Sequence, residues 1–350
     1  MTDTRIDQLD GLRALAALAV LAFHVRLPGF HGGFIGVDVF FVLSGFLITR
    51  LLRTEAAASG RIDIRLFAAK RAIRLFPALL LSVAAIAFVL PSQFPKANPW
   101  AESLIPLLYL SDYARAFYRA PDVMQHTWSL SVETHFYMVW PLVILFFRNV
   151  SDRSFATAMV ALFLASTIWR IFVFSSSEHW ERTYYSFDTR LSGLVIGSAL
   201  AAIAWRPNPR NADAVAVIAA VVLAICTASL KLGKAAAISW GGVSVDLASA
   251  FLIMSLLTPR TKAARALSWP PLVRIGLWSY ALYLWHYPIA RLARIEMMPV
   301  TAFAVTLVAS LILSAATYEF FERPLQRWFR NRIPLPAPAH PSSETSTSIR

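Results

Sequence analysis

Runs of apolar residues follow one another along the chain, each long enough to cross a hydrocarbon core of about 30 Å. Inside lipid every backbone N–H and C=O must find its partner within its own segment, so such runs fold as helices. The runs fall at 11–27, 33–50, 74–92, 128–147, 155–174, 190–205, 213–230, 236–257, 273–291 and 300–320 and predict an all-α, polytopic membrane bundle of about ten transmembrane helices. The shorter piece Leu104 to Leu110 reads as a re-entrant or interfacial helix rather than an eleventh span. With 57% hydrophobic and 15% charged residues in 350, the chain has more apolar surface than one soluble core would hide. The first run shows no convincing small-residue cleavage site and is expected to stay as a signal anchor. Residues 1–330 are expected to form one membrane domain, and 331–350, rich in Pro and Ser without periodicity, a disordered cytoplasmic tail. The lone Cys226 excludes an internal disulfide and a cysteine-rich metal site.

Topology accounts for most of the net charge of +13. If the N-terminus lies in the cytoplasm, 21 of the 33 Lys and Arg fall on the inner side, 11 outside, and Arg13 within the first span. Both termini of the multi-pass chain are therefore expected on the cytoplasmic side. No basic patch interleaved with aromatics stands on a soluble module, so nucleic acid is not an expected partner.

Polar residues buried in such runs carry the functional signal, because placing them there is costly. Ten apolar residues, Ala14 to Phe23, separate Arg13 from His24. Eleven steps of about 100° bring both side chains to one helix face, about 16 Å apart along the axis. Counting along each run places His24, Asp38, Glu133, Asp188, Arg190 and His286 in the outer half of the membrane, and Arg71, Arg74, Glu319 and Glu322 in the inner half. A carboxylate from Glu133 or Asp38 beside His24 would fix the imidazole tautomer and support the imidazolium. The same residues would also serve as a purely structural polar network, and Arg71 and Arg74 as headgroup anchors.

Arg13 and His24 at this spacing are followed by GVDVFFVLSGFLIT (36–49), AKRAIRLFPALLL (69–81), TWSLSVETHFYMVWP (127–141), FDTRLSGLVIG (187–197), SYALYLWHYP (279–288) and YEFFERP (318–324). In that order they resemble the membrane acyltransferase family 3, in its stand-alone form without a fused SGNH domain. The resemblance implies a bundle that moves an acyl group, commonly acetyl from acetyl-CoA, onto a hydroxyl of a sugar, polysaccharide or glycolipid, as in O-acetylation of lipopolysaccharide and other cell-envelope glycans. It places the essential Arg and His on Arg13 and His24, the donor-side basic pair on Arg71 and Arg74, and the acid of SLSVE on Glu133. Thr134 and His135 depart from the usual SVEEQFY, which leaves the acceptor unassigned.

The expected mechanism has acyl-CoA as co-substrate, with no permanently bound cofactor. Its phosphates meet Arg71 and Arg74 on the inner side. His24 acts near the outer face as general base or transient acyl carrier, with Glu133 or Asp38 orienting its ring and Asp188, Arg190, His286 and Glu322 completing a polar network. The competing class is a proton-coupled transporter or flippase of a sugar-lipid, since proton relays use the same buried residues, but no inverted repeat or paired broken helix is evident.

Overall fold

The computed structural model describes residues 5–203 and 207–332. Over these the regular structure is helical throughout, with no strand. The helices are α1 (Asp7–His24), α2 (Gly36–Ser59), α3 (Ile64–Gln93), α4 (Pro99–Leu107), α5 (Ser111–Tyr118), α6 (Trp128–Phe146), α7 (Asp152–Ser176) and α8 (Trp180–Tyr185). They continue as α9 (Leu191–Ala202), α10 (Pro209–Ser229), α11 (Gly242–Leu256), α12 (Lys262–Leu267), α13 (Pro270–Glu296), α14 (Pro299–Thr317) and α15 (Arg323–Arg332). Local chemistry sets the starts: side chains of Asp63, Asn98, Ser151, Asn208 and Thr261 accept from N-terminal amides, and Pro opens α4, α10, α13 and α14.

Each of the ten apolar runs falls on a helix, and the chain is an integral membrane protein. Among the described residues seven helices are long and apolar enough to cross a membrane: those of α2, α3, α6, α7, α10, α11 and α14 with their short extensions. α9 is apolar but has 12 residues, about 18 Å, and is shorter than the expected 190–205. α1 carries Asp7, Asp10 and Arg13 within 18 residues, and α13 is charged at both ends, so these two are held by packing rather than by hydropathy. The piece around Leu104–Leu110 is helical only to Leu107 and, at nine residues in α4, does not span. The helical path continues past residue 320 into α15, and the expected tail from 333 lies outside the described residues.

α2 is the most enclosed of the seven, with 72% of its apolar window buried against 22% for α10. Its main partner is α9, and glycine makes the approach possible. A Cβ on Gly45 would stand 1.9 Å from the Leu194 carbonyl oxygen, and one on Gly197 2.1 Å from that of Val42. Thr49 Oγ1 donates to Ser198 Oγ (2.9 Å) and accepts from Trp140 Nε1 (2.6 Å), tying α6 to the pair. α1 packs mainly on α13. Contacts ascend together on these two, from Asp10 against Gly276 through Arg13 on Ser279 to His24 on His286, so α1 and α13 run in the same direction. This pairing gives the residues of α1 their partners.

Candidate active site

His24 ends α1, half-buried, and its partner is a histidine rather than a carboxylate. Its Nδ1 lies 2.9 Å from His286 Nε2 on α13. The Tyr287 ring stands edge-on to His24 at 4.7 Å, and His126 stacks on Tyr287 at 5.1 Å while meeting His286 edge-on at 5.7 Å. Gln125 hydrogen-bonds the Tyr287 hydroxyl, and the Tyr283 hydroxyl donates to the His126 carbonyl (2.8 Å) and pairs with Ser129 Oγ (2.7 Å). Three imidazoles and two phenols from α1, α13 and the turn before α6 therefore form one cluster. Among the described residues no three His, Cys, Asp or Glu are arranged to hold a metal ion.

Glu133 belongs to a different group. Its carboxylate accepts from Ser44 Oγ (2.6 Å) and Tyr137 OH (3.2 Å), and the charges that act on it are those of Arg13 and Arg74. The expectation that Glu133 orients His24 is corrected, and the reason is depth. The turn before α6 is already interior, with Val123, Met124, His126, Thr127 and Trp128 all at most 4% exposed. His126 in that turn already lies against His286 and Tyr287, and Glu133, seven residues on, is carried about 10 Å further along α6, to where Arg13 acts on it. Arg13 Nε donates to Ser279 Oγ (3.2 Å), and its guanidinium lies 5.6 Å from the Phe40 ring centre. Arg71 and Arg74 sit one turn apart on α3, and both act electrostatically on Tyr137. Buried Glu322 faces Arg74 and Arg13. The structure therefore brings Arg13, Arg71, Arg74, Glu133 and Glu322 together and keeps them apart from the imidazoles. Arg13, Ser44, Glu133, Tyr137 and Arg71 are each partly exposed and Arg74 is exposed, so the group borders open space.

Asp38 is corrected likewise. It pairs with Arg190 Nη2 at 2.5 Å, both nearly buried, while the Arg190 guanidinium faces Phe41, Trp128 and Tyr184. Beside it lies a pair that counting along the runs missed: Arg170 Nη1 donates to Ser192 Oγ (2.9 Å), whose hydroxyl donates to Asp246 Oδ2 (2.7 Å). Each interrupts an apolar run as Arg13 does, so the signal was present. Asp188 stands apart, half-exposed, bonded by Arg182 (3.0 and 2.8 Å) and Trp169 (2.8 Å). His135, the departure within SVETHFY, meets buried Asp112 at 3.1 Å and fastens α6 to α5.

The family model described as an acyltransferase domain matches residues 6–319. The chain belongs to this acyltransferase family. The chain is 29% identical over 348 residues to the peptidoglycan O-acetyltransferase OatA of Listeria monocytogenes, covering 92% of itself and 56% of that protein. It is 30% identical to the putative peptidoglycan O-acetyltransferase YrhL of Bacillus subtilis over 94% of itself and 56% of that protein. To the O-acetyltransferase OatA of Staphylococcus aureus it is 31% identical, over 91% of itself and 57% of that protein. The chain thus spans little more than half the length of these relatives. No solved structure matches it. Imidazoles are groups of a kind that can move a proton or carry an acyl group, and clustered guanidiniums are of a kind that can hold phosphates.

Proposed function

We propose that this protein is a membrane O-acetyltransferase that moves acetyl from acetyl-CoA to a hydroxyl of a cell-envelope carbohydrate, its site built on the Arg13–His24 face of α1. The observation that carries this is the division of that face. Arg13 joins the cationic group of Arg71, Arg74, Glu133 and Glu322, while His24, about 16 Å further along the axis, joins the imidazoles. The excess of Lys and Arg in loops on one side supports cytoplasmic termini and a donor arriving from that side, in a bacterial inner membrane.

Acetyl-CoA enters on the arginine side, where Arg71 and Arg74 take its phosphates and Arg13 with Glu133 lines the way for the pantetheine arm. His24 removes the proton of the acceptor hydroxyl. The resulting alkoxide attacks the thioester carbonyl, the C–S bond breaks, and the proton held on His24 passes to the leaving thiolate. An acetyl-imidazole on His24, discharged by the acceptor, uses the same nitrogen and the same geometry. The relatives named for peptidoglycan make glycan strands the first acceptor to try.

The test is transfer of labelled acetyl from acetyl-CoA to peptidoglycan glycan fragments by the purified protein, with release of the label by mild alkali as expected for an ester. Transfer that needs His24 supports the reading. Failure to bind any acyl-CoA, or flux of a lipid-linked sugar across vesicles without acyl transfer, overturns it.

A further inference from the structure

His286 is a buried imidazole that the proton-transfer scheme above leaves unused. Its Nδ1 faces two backbone carbonyls of its own helix, Tyr283 at 2.7 Å and Leu282 at 3.1 Å. A carbonyl oxygen accepts and never donates, so His286 Nδ1 carries the ring hydrogen. The neutral ring's other nitrogen, Nε2, is then an acceptor. Nε2 is the atom that lies 2.9 Å from His24 Nδ1. His24 must therefore donate from Nδ1, which leaves its Nε2 with the free lone pair.

We infer that His286 is a positioning residue: the two carbonyls fix its tautomer, and it in turn fixes that of His24, presenting His24 Nε2 as the reactive nitrogen. Resting on the acetyltransferase reading, this gives His286 the part that a carboxylate plays in a Ser-His-Asp triad. When His24 Nε2 takes the acceptor proton, the ring becomes an imidazolium. The Nδ1–H bond to His286 then becomes charge-assisted, strengthening as charge develops. The Val20 carbonyl also accepts a hydrogen bond from the His24 ring, His126, Tyr287 and Arg294 face it, and His286 is its only side-chain hydrogen-bond partner among the described residues.

Two substitutions separate positioning from packing. His286→Gln sets an amide oxygen where Nε2 stood and keeps an acceptor for His24. His286→Met fills a similar volume and offers none. Both are purified in detergent, checked for monodispersity, and assayed with labelled acetyl-CoA and glycan fragments. His286→Met should lower kcat at least about tenfold, toward the roughly 10²- to 10⁴-fold associated with a positioned proton-transfer group, at unchanged KM for acetyl-CoA. His286→Gln should recover most of kcat. His286→Met with wild-type kcat and pH profile overturns the inference, as does a folded His286→Gln with no more activity than His286→Met. If His286→Met does not fold, His286→Gln alone decides: near-normal turnover supports, and its loss overturns. A wild-type protein without acetyl transfer refutes the acetyltransferase reading itself, a result distinguishable from either.

Discussion

Replacing Asp246 by Asn removes one charge from the buried cluster between α7, α9 and α11 while keeping the shape of the side chain. Arg170 is 1% exposed and Asp246 fully buried, so the guanidinium left behind is neither hydrated nor paired. Arg170 and Arg190 then face Asp38 alone. Breaking a buried ion pair from one side costs about 3–5 kcal/mol, against total stabilities of about 5–15 kcal/mol for ordinary domains. The direct Arg170–Asp246 separation is 3.8 Å, and Ser192 bridges it with two shorter bonds, so Ser192→Ala should itself cost about 1–3 kcal/mol. Arg170→Met combined with Asp246→Leu removes both charges and should cost less than the sum of its single variants by at least about 2 kcal/mol. SDS-driven unfolding in micelles, followed by tryptophan fluorescence, measures all three. An Asp246→Asn protein within about 1 kcal/mol of wild type, or additive single costs, would refute the account of Arg170 and Asp246 as mutually compensating buried charges.

His24→Ala should abolish transfer and leave acetyl-CoA affinity unchanged by equilibrium binding, because the ring lies away from the arginine group. Glu133→Ala should change donor affinity as well as lower turnover, since its carboxylate faces Arg13 and Arg74; donor affinity and turnover both equal to wild type would remove it from the site. Replacing Arg71 and Arg74 together by Lys keeps the charge and loses the planar fork, and losing one charge-assisted contact of about 1.5–3 kcal/mol should raise the acetyl-CoA Kd at least about tenfold. Gly45→Ala forces a Cβ to within 1.9 Å of a backbone oxygen on α9 and should lower stability by about 1–3 kcal/mol, read as the Tm in detergent.

The ten helices were legible because length and apolarity state the same requirement that lipid imposes, and Pro and Asx or Ser/Thr residues mark many of the boundaries. Arg13 and His24 were legible for the converse reason, since each breaks an apolar run. Their partners were not. The imidazole cluster takes from the α6 segment not Glu133 but His126, seven residues earlier, and Glu133 pairs instead with Ser44 and Tyr137. His126 was missed because it sits in the polar stretch QHT, outside any run. Arg170 and Asp246 broke their runs as plainly as Arg13, yet what each pairs with depends on which helices become neighbours, and no local pattern carries that.

The pairing of α1 with α13 sets an order on biogenesis. His24 and His286 are 262 positions apart, and the bond between them joins α1 to α13. A ribosome delivers α1 to the membrane well before α13 exists. In that interval Arg13 lacks Ser279 and His24 lacks His286, and both must be sheltered by the insertion machinery or by α2, already beside them. A nascent chain stalled before residue 270 is therefore expected to hold most of its spans and His24 without its contact to His286, so that pairing should form in a single late step of synthesis.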